Sequence, residues 1–246
     1  MSSNTVTLVC IVINYNRADM LKTCIESLLK QKTKYKFTIL IVDDHSSDNT
    51  AEVVRDLQEE NSDKDIFFFS TEKNYGLGKA ALVALEPKMK LHLKADYLYR
   101  IDSDDYLIDS KKFEKQINFL ESNPDSVGTC HHYKTIDEIN NKEFISSDVI
   151  TGIYSSSELI DLMNTKLTYC QTSTYMYRNI HKSVSPPEFK HKWARGDVLY
   201  NWAMLRHGKI NYTDDVMSVY RHHDKGVWIS LSESKKKSEN LFLFFK

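Results

Sequence analysis

Residues 6–16 read Val6-Thr7-Leu8-Val9-Cys10-Ile11-Val12-Ile13-Asn14-Tyr15-Asn16, and this stretch decides the fold class. The run Val6–Ile13 is rich in β-branched residues and nearly all apolar. It lacks the polar alternation of a half-wet strand, so it describes a strand buried on both faces. Such a strand needs helices to cover it, and the sequence supplies the first one at once. Met20/Leu21, Cys24/Ile25 and Leu28/Leu29 recur every four residues and make one apolar helical face. Asn16 with Asp19 has the look of an N-terminal cap arrangement.

The alternation continues outward from there. Phe37–Val42 is a second β-branched run, followed by a polar turn from Asp43 to Asn49 and a helix over Thr50–Glu60 with Val53, Val54 and Leu57 inward. Ile66–Phe69 is a third strand, Asn74–Gly78 a glycine turn, Lys79–Leu85 a helical stretch, and Tyr97–Ile101 a fourth strand ending in acidic residues. Strands and helices in this order predict right-handed crossovers and an α/β fold, a doubly wound, mostly parallel central sheet flanked by helices. Ligands in such sheets bind beyond the carboxyl ends of the strands, so the turns after strands two, three and four should line one crevice. Residues 1–106 thus read as a Rossmann-like, nucleotide-binding half.

The second half has irregular spacing and more aromatic and histidine residues. Ser155–Met163 and Asp197–His207 read as helices, and Val127–Tyr133, Thr172–Tyr177 and Val216–Arg221 as strands. No proline-rich linker or internal repeat divides the chain, which predicts a single domain over 1–230, with 107–230 shaping the substrate side. The tail, 231–246, carries a lysine run and then Leu241-Phe242-Leu243-Phe244-Phe245. Packing on the domain, docking on another chain and peripheral contact with a membrane surface are all open to it.

Bulk composition narrows the function classes. In 246 residues, 33 Lys and Arg face 34 Asp and Glu, a formal net charge of -1. This excludes strong bulk attraction to nucleic acid, and it also excludes a disordered acidic chain. The four cysteines form no C-x-x-C pair, so neither a zinc knuckle nor a redox motif is signalled. Cys10 and Cys24 read as core thiols, and the compartment as reducing and cytoplasmic. No apolar run approaches a membrane span, and Val6–Ile13 lacks the preceding basic segment of a signal peptide.

Five segments carry candidate chemistry. In Arg100-Ile101-Asp102-Ser103-Asp104-Asp105-Tyr106, three carboxylates repel one another, which is tolerable at a wet turn or around a cation. Alternation at a strand end lets Asp102 and Asp104 face one ligand, and a hard divalent ion takes such oxygens. The bland reading is an acidic turn capping a helix at Lys111. In Asp43-Asp44-His45-Ser46-Ser47-Asp48-Asn49-Thr50, Asp48 or Asn49 can cap the following helix. Asp43 and Asp44 sit too early for that and are free to meet a base or ribose. Asn74-Tyr75-Gly76-Leu77-Gly78-Lys79 offers close backbone approach but lacks P-loop spacing. Arg195-Gly196-Asp197-Val198 opens a helix, where an Asp alone reads as a cap. Tyr220-Arg221-His222-His223-Asp224-Lys225 offers a metal-binding histidine and a phosphate-neutralising lysine, or simply an exposed strand end. His131-His132 is a competing pair without an acidic neighbour.

In order, Asn14-Tyr15-Asn16, Val42-Asp43-Asp44, Asn74-x-Gly76, Asp102-x-Asp104-Asp105, Gly196-Asp197 and Tyr220-Arg221-x-His223 resemble glycosyltransferase family 2, with its GT-A fold. The resemblance runs from about Thr5 to Ser230. The stretch from Gly208 to Arg221 is similar to bacterial members that build surface polysaccharides. The resemblance implies inverting transfer of a sugar from a nucleotide donor, UDP-linked by what is common in the family, to a hydroxyl of a saccharide or lipid-linked saccharide. It implies Mn²⁺ or Mg²⁺ as cofactor and a cytoplasmic location, with the inner face of the plasma membrane as one setting. Asn14, Asn16, Asp43, Asp44, Asn74, Gly76, Lys79, Asp102 and Lys225 would hold the donor. Asp104 and His223 would hold the metal, with Asp105 as the alternative to Asp104, and Asp197 would be the general base. Trp193 or Trp228 would stack on a sugar face, against ordinary packing as the plainer reading.

The sequence departs from the family where His45 replaces a common Gly, and where Ala81 and Leu82 replace an Arg and an Asn. A nucleotidyltransferase would show a glycine-rich basic loop after the first strand, which Asn14–Asp19 is not. A non-enzymatic sugar-binding module would need neither the Asp102 cluster nor Asp197.

Overall fold

The computed structural model describes residues 7–76, 95–146, 151–155, 157–158, 171–180, 204, 206–226 and 232. Its elements run β1 (Thr7–Asn14), α1 (Ala18–Leu29), β2 (Lys36–Asp43), α2 (Thr50–Glu60), β3 (Ile66–Ser70), β4 (Tyr97–Asp102), β5 (Tyr106–Leu107), α3 (Lys112–Ser122), β6 (Ser126–Asp137), β7 (Lys142–Ile145), β8 (Gly152–Tyr154), a 3-10 turn (Thr172–Thr174), β9 (Met176–Arg178) and β10 (Lys209–His222). One sheet holds all ten strands, in the order β3-β2-β1-β4-β9-β6-β10-β5, with β7 on β6 and β8 on β10. The first four are mutually parallel, as are β6 and β10. β9 is antiparallel to both β4 and β6 and joins the two blocks.

β1 is the centre because it is apolar on both faces. Leu8, Cys10 and Val12 point to one side and meet Leu21, Cys24, Ile25 and Leu28 of α1, Val54 and Leu57 of α2, and Phe113, Ile117 and Leu120 of α3. Val9, Ile11 and Ile13 point to the other and meet Leu40, Val42, Leu98, Tyr175, Tyr177 and Met204. The period-two alternation of a strand thus feeds two cores from one segment. Each such Leu, Ile or Val gains about 1.5–3 kcal/mol from burial. On the second face, Tyr175 packs against Gly128. A Cβ at Gly128 would come within 2.5 Å of the Tyr175 hydroxyl, so only glycine fits there.

Several expectations need correction. α1 is not capped by Asn16 with Asp19: its N-cap is Arg17, without a side-chain cap, and the Ala18 amide donates 3.0 Å to Asp48 of the next turn. Thr172–Tyr177 is not one strand; Thr172–Thr174 winds into a 3-10 turn before β9. β10 is longer than Val216–Arg221 because it passes through Asp214-Asp215 with register shifts against β6, and those polar residues hide its first half in the sequence. Cys10 and Cys24 are free and buried. Cys130 is disulfide-bonded. The helix Lys79–Leu85, most of Ser155–Met163 and Asp197–His207, and the tail apart from Ser232 lie outside the described residues. Among the described residues no helix is long and apolar enough to cross a membrane.

Candidate active site

The carboxyl ends of β1, β2 and β4 lie side by side, since Asn14 pairs with Asp43 and Ile13 with Asp102 across the ladders. Asn14 is fully buried, and its carboxamide donates to Asp43 Oδ1 and Thr50 Oγ1, both at 3.0 Å. Asp43 also accepts from the Ser46 amide (3.0 Å), the Ser70 hydroxyl (3.1 Å) and the Ser46 hydroxyl. Asp44 reaches the other way. It accepts from the amides of Tyr75 (2.7 Å) and Gly76 (2.8 Å) and so holds the turn Asn74–Gly76 against β2. Burial raises the Asp44 pKa above the ordinary range, although those amide bonds and Thr71 oppose it.

Three positions in this frame need left-handed backbone. Gly76, at φ +82°, supplies it freely, and Asn74 Oδ1 accepts from the Gly76 amide. His45, at φ +64°, stands where the resembling family often has Gly, and its Nδ1 is 3.1 Å from the Thr71 carbonyl. Asn16, at φ +50°, accepts from the Ser47 amide at 2.7 Å and ties the turn after β1 to the turn after β2.

The acidic turn is built differently. β4 ends at Asp102, and the Asp105 amide donates back to the Asp102 carbonyl at 3.0 Å. Asp104 is therefore placed by a turn and not by strand alternation with Asp102, which is half-buried with Arg100 Nη2 3.9 Å away. None of these carboxylates caps the following helix; Asp109 Oδ1 accepts from the Lys111 amide instead. Asp104 Oδ2 meets Arg17 Nη2 and His223 Nε2, each at 3.1 Å. Burial alone would raise the Asp104 pKa, but the His223 hydrogen bond and the Arg17 charge hold it below the ordinary value. Asp105 faces the interior, accepting from Gln171 Nε2 (2.8 Å) and the Arg221 amide (3.2 Å). Burial, then the charges of Asp104 and Asp102, push its pKa well up.

The structure separates the two histidine pairs. His222 turns to Asp137 at 3.0 Å, while His223, 2% exposed, meets Asp104 from 119 residues away. His131 is fully buried in β6, with its pKa pushed well down by burial. Lys225 is exposed, with its ammonium 3.8 Å from Asp19 and its carbonyl 3.4 Å from Arg17 Nη2. Lys79, Trp193, Asp197 and Trp228 lie outside the described residues. Sequence reading missed Arg17 and Gln171. Arg17 follows Asn14-Tyr15-Asn16 directly, and that adjacency was the available signal.

Among the described residues no three His, Cys, Asp or Glu side chains converge into a closed cation site. A divalent ion at a diphosphate does not need one, since it keeps water and phosphate oxygens in most positions. Two protein ligands at right angles, each about 2.1 Å from one ion, stand about 3.0 Å apart. Asp104 Oδ2 and His223 Nε2, at 3.1 Å, match that spacing. His223 Nδ1 is buried without a protein partner.

Comparison with known proteins agrees with this architecture. The family model described as Glycosyl transferase family 2 matches residues 9–184. An uncharacterized glycosyltransferase of Nostoc sp. is 29% identical over 93% of this chain and 69% of its own length. An uncharacterized protein of Mycobacterium bovis is 22% identical over 92% of this chain, which spans 61% of that relative. The poly-β-1,6-N-acetyl-D-glucosamine synthase of Staphylococcus aureus is 28% identical over 45% of this chain and 26% of its own. Among solved structures, S. aureus TarS 1-349 in complex with UDP superposes with a TM-score of 0.70 at 18% identity, covering 97% of this chain and 71% of that one. A mannosyltransferase from Pyrobaculum calidifontis in complex with GDP-Man and Mn²⁺ gives 0.61 at 14%, covering 90% and 58%. These likenesses fix a GT-A fold, and with the family match over most of its length the chain belongs to glycosyltransferase family 2.

Proposed function

We infer that this chain transfers a sugar from a uridine diphosphate sugar to a hydroxyl of a saccharide or lipid-linked saccharide, with inversion and with a divalent metal, in the assembly of a surface polysaccharide. The observation that carries this reading is the meeting of Asp104 with His223 at the mouth of β4, beside Asn14 and the Asp43–Asp44 frame. The uridine choice draws on TarS, solved with UDP and with UDP-GlcNAc. The polysaccharide setting draws on the partial similarity to an N-acetylglucosamine polymer synthase.

In this reading Asp44 with Asp43, Asn14, Asn16 and the Asn74–Gly76 turn receive the nucleoside, and Asp102 receives the ribose or sugar. Lys79 and Lys225 neutralise phosphate charge. Asp104 and His223 would hold Mn²⁺ or Mg²⁺, which when bound offsets the charge gathering on the departing diphosphate. Asp197 takes the proton of the acceptor hydroxyl as its oxygen attacks the anomeric carbon. The bond from that carbon to the diphosphate oxygen breaks, and the diphosphate leaves with the electron pair.

A panel of UDP-GlcNAc, UDP-glucose, GDP-mannose and thymidine diphosphate sugars, assayed for nucleotide release with Mn²⁺ and with excess chelator, tests this. Release from a UDP-sugar that stops in chelator is expected. A preference for a guanosine or thymidine donor removes the uridine assignment, and full release in chelator removes the metal.

A further inference from the structure

Arg17 links the two sides of the crevice. It lies on the turn out of β1, is only 4% exposed, and places Nη2 3.1 Å from Asp104 Oδ2 and 3.4 Å from the Lys225 carbonyl. His223 Nε2 meets the same oxygen from the far end of β10. A guanidinium is always charged and has no lone pair. It therefore cannot join a metal's coordination shell, and it repels a dication at contact distance. His223 Nε2, for its part, must present a lone pair to serve as a ligand. With its guanidinium 3.1 Å from Oδ2, Arg17 competes with a metal for the charge of that carboxylate.

We propose that Arg17 is a resident counter-ion of Asp104 that is exchanged for the divalent ion on loading. The proposal rests on the reading of Asp104 and His223 as metal ligands. Metal alone then loads weakly, because it must displace a buried guanidinium from its carboxylate. A nucleoside diphosphate changes the balance, since its oxygens accept both the ion and the released guanidinium. Arg17 is thus a positioning residue that couples metal to diphosphate, and such coupling is reciprocal.

Mn²⁺ binding to the full chain, read from the free-ion electron paramagnetic resonance signal, tests this without any turnover. Without nucleotide, Arg17→Met should bind Mn²⁺ about tenfold more tightly than the parent, a size within the usual span of coupling between sites. Arg17→Lys keeps the charge and should stay near the parent, and Asp104→Asn should not bind. With uridine diphosphate, affinity should rise strongly in the parent and much less in Arg17→Met. Equal or weaker Mn²⁺ binding by Arg17→Met without nucleotide overturns the proposal while leaving the metal site standing. Absence of Mn²⁺ binding in the parent and in every variant, with and without nucleotide, overturns the metal site and the proposal together. If Arg17→Met does not fold, the ¹⁵N guanidinium resonance of Arg17 in the parent, assigned with Arg17→Lys, is followed during Mg²⁺ addition. It should shift on loading, and a resonance unmoved at saturating Mg²⁺ overturns the exchange.

Discussion

The crevice holds two adjacent aspartate pairs that look alike in sequence and are satisfied in opposite ways. Among the described residues, Asp43 and Asp44 accept only from neutral donors: the Asn14 carboxamide, the hydroxyls of Ser46, Ser70 and Thr71, and the amides of Ser46, Tyr75 and Gly76. Asp105 follows that pattern, with Gln171 and the Arg221 amide. Asp104 does not, for it faces Arg17 and His223. Carboxylates held by neutral donors fix the shape of the loops. A carboxylate balanced by an arginine can exchange that cation for another. By this contrast Asp44 and Asp105 frame the loops, and the proposed metal chemistry falls to Asp104.

The largest effect tests what lies beyond this frame. Asp197→Asn should lower turnover about a hundredfold to ten-thousandfold, the usual loss on removing a general base. Nucleotide binding and melting should hold, since Asn caps a helix about as well as Asp. Transfer near the parent rate would reduce Asp197 to a cap. Next comes the framing group itself. Asp44→Ala removes the acceptor of the half-buried Tyr75 amide, while the Gly76 amide keeps Asn74 Oδ1, and should destabilise the fold by about 1–3 kcal/mol in urea unfolding, the range for one unsatisfied donor. A loss no larger than that of an ordinary surface substitution would break the contrast drawn between the pairs.

Acid unfolding sharpens the contrast further. The Asp104 pKa is depressed in the folded state, so its contribution to stability is present above the unfolded value and is lost as pH falls through the folded one. Parent and Asp104→Asn should therefore converge in urea stability as pH falls from 6 toward and below the ordinary carboxylate range. Parallel curves would mean that the Arg17 and His223 contacts do not hold the charge. The smallest effect concerns His45, whose left-handed backbone costs about 1–2 kcal/mol for an L-residue. His45→Gly relieves that strain but frees the unfolded chain, so it should stay within about 1 kcal/mol of the parent. His45→Val should fall below it by about 1–2 kcal/mol more.

The contrast also explains how far the sequence could be read. β1 to β4, α1 and α2 are legible to within a residue or two because each strand is a β-branched run and each helix has one apolar stripe. The turns Asp43–Asn49 and Asp102–Asp105 are legible as acidic positions at strand ends. Their satisfaction is not, because partners such as His223 come from 119 residues away and Arg17 from the start of the chain. β5 and β8, two or three residues each, carry too little periodicity to be seen. Asp214-Asp215 conceals the middle of β10. Strand alternation puts Asp102 and Asp104 on one face only where the strand continues past Asp102, and β4 ends there.

The central claim, that Asp104 makes this crevice a metal-assisted nucleotide site, is tested most directly by calorimetry of uridine diphosphate binding to the parent with Mn²⁺ and with excess chelator. The account predicts binding with Mn²⁺ that weakens by about tenfold or more in chelator, a loss of about 1.4 kcal/mol or more. Equal affinity in the two conditions would contradict it.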